Sequence, residues 1–457
     1  MVQISKIFGF TNGKAKTFEM GGIHPSDNKL SAGVGITKLS LPSTVTIPIS
    51  QHIGVPAKPL VDKKEKVKTG QIIARSEGFV SANIHSSVSG MVTKVEEALD
   101  STGYKRMAIT IKVSGDEWEE GIDLTPDLKE DFDLTPEEII KKILEAGIVG
   151  LGGATFPSHI KLSPPKGKKA EILIINGVEC EPYLTADHRL MLEKGAEIMV
   201  GIRLLMKALQ VEKAIIGIEN NKPDAIHNMR ELANRYSGID VQGLKVQYPQ
   251  GGEKQLINAL TKKEVPSGAL PIDVGAVVHN VGTVFAVYEA IQKNKPLIER
   301  VVTITGKSVS NPGNFLVRIG TPIAHLIEAS GGLPENTGKI ISGGPMMGKA
   351  ISSTDIPIAK GTSGILLIPE KEAKRPEVVP CIRCGGCVSV CPMGLEPYLL
   401  MVLSKKQFYD KAEQEYVMDC IECGSCAYTC PSGQPILDYV RLGKSTVGKI
   451  IRERQKK

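Results

Sequence analysis

Eight of the nine cysteines fall in two short runs near the C-terminal end of the chain. The first is CIRCGGCVSVCP, with Cys381, Cys384, Cys387 and Cys391; the second is CIECGSCAYTCP, with Cys420, Cys423, Cys426 and Cys430. Each has the spacing C-x2-C-x2-C-x3-C-P. Thiolates at this density are ligands for soft metal centres. The spacing suits [4Fe–4S] ligation, where a tight loop offers three thiolates to a cube and the fourth leaves along the chain. Zinc is the competing reading, because C-x2-C pairs also suit it. A zinc site uses two pairs, so the third cysteine step and the x3-C-P step go unexplained. The ninth cysteine, Cys180, reads as a small buried side chain.

A second set of residues could hold a phosphate. Gly147, Gly150, Gly152 and Gly153 crowd the stretch before Phe156 and Pro157, and Lys161 follows. Dense glycines let backbone N–H groups approach an anion closely. The stretch follows a predicted helix rather than a strand, which is the wrong context for a Rossmann fingerprint. A tight structural turn is the plainer alternative. Next, the strand EILIIN ends at Asn176, followed by Glu179, Cys180 and Glu181. The C-terminal ends of strands are where open α/β sheets bind ligands. A solvated loop is the alternative.

The elements that must position these groups follow from periodicity. Residues 30–115 read as short strands punctuated by Gly and Pro: STVTIPI, QIIA, GMVTKVEE and MAITIKV. Thr135, Pro136, Glu137 and Glu138 mark a helix start, with Thr135 as N-cap. Amphipathic helices are expected over 184–210 and 223–236, with the strand AIIGI between them, so the centre is an α/β domain with a largely parallel sheet. Residues 298–365 turn β-rich again, with one helix near 322–330. PEKEAKRPEVVP (369–380) reads as a linker, and 395–417 as two helices between the cysteine runs.

With 457 residues, the chain has room for about three domains. The opening MVQISKIFGFTNGKAK lacks the apolar core of a signal peptide, and no apolar run reaches the ~20 residues a membrane span needs. Thiolate ligands and a free cysteine fit a reducing, cytoplasmic setting. A net charge of +6 and only 4% aromatics argue against nucleic-acid binding, for want of stacking platforms. The C-terminal stretch is more basic: Arg441, Lys444, Lys449, Arg452, Arg454, Lys456 and Lys457 face only Asp438 and Glu453. It reads as a solvated tail or as a docking surface for an acidic partner or anionic lipid.

Resemblances extend this reading. The cysteine runs are similar to those of bacterial two-cluster ferredoxins. That resemblance implies one cluster on Cys381, Cys384, Cys387 and Cys430, and a second on Cys420, Cys423, Cys426 and Cys391. VDKKEKVKTGQIIA and SANIHSSVSGMVTKVE resemble the barrel-sandwich (lipoyl or biotinyl-like) fold. Carrier versions present a Lys at a hairpin tip; here the tip is Ser86-Ser87-Val88-Ser89-Gly90, so a structural module is expected. GLGGATFPSHIKL, INGVECEPY, Tyr248-Pro-Gln-Gly251-Gly252-Glu253 and His279-Asn280-Val281-Gly282-Thr283 resemble the motifs of the NADH/FMN-binding subunit of respiratory complex I. The β-rich stretch after them is similar to that family's β-grasp (SLBB-type) module. The order of modules, with GGIHPSDNK and IGVPAKPLV near the start, resembles the RnfC component of Rnf ion-translocating electron transport complexes.

The expected architecture is therefore multidomain α/β. It comprises an N-terminal barrel-sandwich hybrid (1–120), an FMN/NADH-binding α/β domain (130–297), a β-grasp module (298–368) and an α-helical two-[4Fe–4S] ferredoxin-type domain with a basic tail (375–457). The resemblance implies FMN contacts at Gly150, Gly152, Gly153, Lys161, Asn176, Glu179, Tyr248 and Asn280, with Phe156 near the nicotinamide and Glu181 and Glu253 on the NADH side. Departures stand at Leu151, Val178, Cys180, Gly252 and Pro164, where the complex I pattern has Arg, Asp, Ser, Glu and an aromatic. The implied function is the peripheral NADH/FMN and iron–sulfur arm of a membrane-bound ferredoxin:NAD oxidoreductase coupled to Na⁺ or H⁺ transport. Its partners would be the other subunits, one of them an iron–sulfur subunit, with NADH directly and ferredoxin indirectly. Two alternatives stand beside it. One is a soluble flavin/iron–sulfur reductase of the cobalamin or proline reductase type. The other is an electron relay that has lost nucleotide binding.

Overall fold

The computed structural model describes residues 15–100 and 102–455, arranged as four β-sheets and a helical C-terminal part. The first strand, β1 (Ile36–Lys38), is followed by β2 (Thr44–Pro48), β3 (Lys58–Pro59), β4 (Lys66–Val67), β5 (Ile72–Arg75), β6 (Ile84–His85), β7 (Ser89–Leu99) and β8 (Lys105–Gly115). One sheet has the order β2-β8-β7-β4 and a second the order β3-β5-β6. Val45 and Ile47 of β2 alternate with less buried threonines. They meet Ile109, Ile111, Ile73 and Ile84 in a common core, which makes the two sheets a sandwich. Ser86, Ser87 and Val88 are fully buried, and the Ser87 hydroxyl donates to the Ile319 carbonyl. The tip where carriers present their lysine is thus packed against another part of the chain.

The central domain opens with α1 (Pro136–Glu145). Thr135 Oγ1 accepts the Glu138 N–H at 3.2 Å, and the Glu138 carboxylate accepts the Thr135 N–H at 2.7 Å. This capping box, with Pro136 in the first turn, sets the helix start. Ile139 and Ile143, one turn apart, are fully buried. Then come α2 (Ser158–Lys161), β9 (Ile172–Asn176), α3 (Ala186–Glu193), α4 (Gly195–Leu209), β10 (Ala214–Glu219), α5 (Pro223–Ala233), β11 (Ile239–Leu244), α6 (Glu253–Thr261), β12 (Ala276–Asn280) and α7 (Val281–Gln292). The four strands are parallel in the order β11-β10-β9-β12. From β9 the chain runs outward through β10 and β11, then returns to β9's other side as β12. The strand order therefore reverses between β9 and β12, and a crevice is expected beyond their C-terminal ends.

The next sheet contains β13 (Glu299–Thr305), β14 (Gly313–Arg318), β15 (Thr337–Ser342), β16 (Lys349–Ala350) and β17 (Gly364–Pro369), with α8 (Ile323–Ala329) packed on it. Its sixth strand is β1, which pairs in parallel with β14 from Ile36↔Asn314 to Lys38↔Leu316. Residues 36–38, expected in the N-terminal domain, are built into this sheet instead. The expected linker contains one helical turn, α9 (Glu370–Ala373). The C-terminal part comprises α10 (Gly386–Ser389), α11 (Pro397–Lys405), α12 (Tyr409–Gln414), α13 (Ser425–Tyr428) and α14 (Ile436–Gln455), with Leu400 and Leu403 of α11 against Val440 and Val447 of α14. No helix among the described residues is long and apolar enough to cross a membrane.

Candidate functional site

The glycine loop runs between α1 and α2. It is closed at its base by the Gly150 N–H, which donates to the Phe156 carbonyl at 2.9 Å, and by a bridge between Val149 and Pro157. At its crest Gly152, Gly153 and Ala154 are exposed. Gly153 has φ +112°, a conformation that suits glycine, and a side chain there would meet only open space. Among the described residues none accepts a backbone hydrogen bond from the N–H groups of Gly152, Gly153 or Ala154. Three unclaimed donors on a bare glycine crest fit a phosphate, so the FMN expected here has a place to anchor.

Several predicted residues converge beside this loop. Asn176 and Asn280 are register partners at the C-terminal ends of β9 and β12. A Cβ on Gly152 would stand 3.4 Å from Asn280 Cβ. Asn176 Nδ2 donates to the Gly251 carbonyl at 2.9 Å. Asn280 caps α7 by accepting the Gly282 N–H at 2.9 Å and donates to Asp187 at 2.6 Å. Lys161 reaches back to the Val278 carbonyl at 3.1 Å and pairs with Glu253 at 2.6 Å. Phe156 is half-buried at the loop's closing end. Gly150, Gly152, Gly153, Phe156, Lys161, Asn176, Glu253 and Asn280 thus gather around the glycine loop and the C-terminal ends of β9 and β12, where the strand order reverses.

Three predicted residues turn their side chains elsewhere. The Glu179 carboxylate accepts the Asp187 N–H at 2.8 Å and the His188 N–H at 3.1 Å, so it caps α3 rather than opening toward a flavin. The Glu181 carboxylate, expected on the NADH side, accepts the Met347 N–H at 2.7 Å and the Met346 N–H at 3.1 Å from the loop after β15. Burial pushes its carboxyl up to about 7, against those two bonds. Tyr248 is buried, and its hydroxyl donates to the Cys423 carbonyl at 2.8 Å. Glu181 and Tyr248 lie where the α/β domain is covered by another module, and buried polar groups must find partners there, whereas Glu179 finds its partners inside the domain, at the start of α3.

Other residues sequence reasoning passed over. Lys29, within GGIHPSDNK, donates to the carbonyls of Leu184, Glu179 and Glu181 at 2.7, 2.8 and 2.9 Å, pinning the acidic loop from outside its own domain. Thr283 accepts the Leu151 N–H at 2.8 Å. Arg300, buried in β13, donates to the Leu151 carbonyl at 3.3 Å and to the Lys360 carbonyl. A guanidinium therefore lies beneath the glycine loop although Leu151 replaces the arginine of the complex I pattern. Burial lowers Arg300 to about 10, with Asp187 opposing the shift. Burial and then Glu179 push Asp187 up to about 7. The available signal was a charge inside the apolar run around Arg300; Asp187 offered none. Cys180 receives the Gly251 N–H at 3.3 Å, and burial pushes its thiol up, in keeping with a packing role.

The two cysteine runs have the same backbone. Arg383 and Glu422, before each second cysteine, have φ 56° and 57°. Gly385 and Gly424, after it, have φ 72° and 81° and start α10 and α13. All eight thiols are free. Cys391, from the first run, lines one cavity with Cys420, Cys423 and Cys426 of the second, walled by Leu400 and Val440. Burial pushes Cys420 up to about 11 and Cys426 up to about 12, and neighbouring cysteines add to both, Cys391 among them. Thiols gathered this way need a cationic centre to become thiolates, which fits a cluster. In the other set, burial raises Cys387, and Cys430 adds to the shift. Beside Gly386, Cys384 Sγ and Thr429 Cγ2 lie 3.6 and 3.3 Å from where a Cβ would stand. Cys381 and Cys384 are exposed.

The inner set faces the rest of the molecule. The Gly22 N–H donates to the Val390 carbonyl at 3.0 Å, and Gln255 Nε2 to the Pro392 carbonyl at 3.1 Å. The basic residues of α14 are largely engaged: Arg441 and Lys444 hold Glu422 at 3.1 and 3.5 Å, and Arg454 holds Glu413 and Asp410 at 2.8 and 2.9 Å. Lys456 and Lys457 lie outside the described residues.

Comparisons with known proteins agree with this layout. The RnfC barrel sandwich hybrid domain matches residues 16–116, the Nuo51 FMN-binding domain 143–289, the SLBB domain 301–350 and the 4Fe-4S dicluster domain 374–431. Fold and site define a modular protein that joins an FMN-binding domain to a 4Fe–4S dicluster domain. The chain is 50% identical to the C component of the proton-translocating ferredoxin:NAD(+) oxidoreductase complex of Clostridium ljungdahlii, over 87% of this chain and 86% of that one. It is 45% identical to the Na(+)-translocating counterpart of Acetobacterium woodii, over 88% and 90%. It belongs to the RnfC family, the C component of these complexes. An NAD+-reducing [NiFe]-hydrogenase in its H2-reduced state shares the fold, with TM-score 0.50 and 17% identity over 68% of this chain and 63% of that one.

Proposed function

We propose that this chain is the NADH-linked arm of a membrane-bound, ion-translocating ferredoxin:NAD oxidoreductase. It docks peripherally on the cytoplasmic face against the other subunits, an iron–sulfur subunit among them, and exchanges electrons with ferredoxin through them. The observation that carries this reading is the bond from Tyr248 to the Cys423 carbonyl at 2.8 Å. It ties the loop beside the flavin residues directly to the inner cysteine set, while Cys381 and Cys384 of the outer set are exposed.

The residues divide the work as follows. Gly152, Gly153 and Ala154 offer N–H groups to the FMN phosphate, with Lys161 near by and Arg300 beneath the loop. Asn176 and Asn280 present side chains at the sheet edge, and Glu253 sets the position of Lys161. Cys391, Cys420, Cys423 and Cys426 would hold one [4Fe–4S] cluster, and Cys381, Cys384, Cys387 and Cys430 the other. FMN, when bound, would supply two-electron hydride chemistry and the clusters one-electron transfer. Cys391 and Cys423 are buried beside the walls of the inner cavity, and the exposed Cys381 and Cys384 mark where a partner can approach.

An anaerobic NADH titration of the FMN- and cluster-loaded chain, followed by visible absorbance, tests this. The expected result is bleaching of the flavin band and then of the cluster absorbance. If both cofactors are present and NADH bleaches neither, the chain is a relay without nucleotide binding.

A further inference from the structure

Phe79 is the most exposed large apolar side chain among the described residues, at 78%. It stands on the β5–β6 connection of the barrel-sandwich domain. Ile53 and Val55, at 51% and 47%, are exposed on the neighbouring 49–57 segment. The Val55 N–H donates to the Val80 carbonyl at 2.9 Å, and a Cβ on Gly78 would stand 3.5 Å from Val55 Cγ2. Single exposed apolar residues need no explanation, but a cluster at the mouth of a site does.

This tip is tied to the glycine loop. The Ile53 N–H donates to the Thr155 carbonyl at 3.3 Å, one residue before Phe156. His52 packs by Ser81 at 3.2 Å, on the far side of Phe79's loop. Burial and then the neighbouring His52 lower His159 of α2, so the two histidines lie close together. The segment that carries Ile53 and Val55 thus joins Phe79's loop, through the Val55–Val80 bond, to the glycine loop whose crest is exposed.

We propose that Phe79, flanked by Ile53 and Val55, is the stacking face for the adenine half of the dinucleotide. The proposal rests on the NADH reading above. The nicotinamide ring has to reach the flavin in the crevice, so the adenine half extends outward, past the loop crest. A flat base there needs a flat apolar partner, and aromatic stacking supplies it without hydrogen-bond readout. The α/β domain offers no aromatic just after Lys161, where Pro164 stands. The neighbouring domain carries an exposed one, Phe79, on a loop linked through Val55 and Ile53 to the glycine loop.

The test uses the full FMN- and cluster-loaded chain. F79A is expected to weaken NADH binding about tenfold, read from flavin bleaching, while FMN content and dithionite-reduced spectra stay unchanged. F79W should restore it. Reduced nicotinamide mononucleotide, which lacks the adenine half, should bleach the wild type and F79A alike. Unchanged NADH binding in F79A overturns the proposal, as does an equal loss with the mononucleotide. If NADH fails to bleach the wild type, the functional reading falls, and this proposal with it.

Discussion

Glu181 shows how a motif residue can keep its place and change its task. Its backbone lies on the acidic loop at the sheet edge, but its carboxylate bonds to the N–H groups of Met346 and Met347. Burial raises its carboxyl from 4.5 to about 7. The folded state therefore keeps a proton that the unfolded chain releases. Stability from this group is fully present below the unfolded value and is lost as pH rises through about 7. The slope is at most ~1.4 kcal/mol per pH unit. E181Q retains an acceptor and has no titration, so chemical unfolding midpoints compared between pH 5 and pH 8 should fall less in E181Q than in wild type. Equal slopes would mean that Glu181 is already ionised in the folded state.

At the scale of elements, the two cysteine runs are one repeat used twice, and the proposed ligand sets exchange their last cysteines. The cavity shared by Cys391, Cys420, Cys423 and Cys426 makes this testable by combining substitutions. C391S and C420S should each lower iron from about eight to about four per chain, and the double variant should stay at about four. C391S with C381S should lose nearly all. If C391S and C420S together lost all the iron, each run would hold its own cluster. The two runs were legible in the sequence because cluster ligation fixes residue type and spacing together. The capping box at Thr135 was legible for the same reason, being local. β1 was not: three residues carry no periodicity, and their partner lies in a distant module. Nor were the tasks of Glu181 and Tyr248, because a shared motif carries backbone position while the side-chain partners come from elements far along the chain. Lys29 lies more than 150 residues before two of its three acceptors, and no local pattern marks that.

Across the whole molecule, the N-terminal segment acts as a clasp. Gly21 has φ +70°, and a Cβ there would stand 2.6 Å from the Cys391 carbonyl group. Backbone on both sides leaves little room to yield. G21V should loosen the dicluster part from the rest, giving faster loss of the inner cluster to a chelator and slower cluster bleaching after flavin reduction by NADH. Unchanged rates in G21V would show that the clasp is dispensable. The same segment also bears on the order in which the protein is made. Asn314 bonds to the Val34 carbonyl, 280 residues earlier. At ~5–20 residues per second a ribosome needs roughly 15–60 s to cover that distance. The leading segment leaves the exit tunnel that long before its strand partner exists, and its last contacts, with Val390 and Cys391, come later still. Closure of the N-terminal clasp is therefore a late event in biosynthesis, and a nascent chain stalled before β14 would carry an unpaired leading strand for a chaperone to cover.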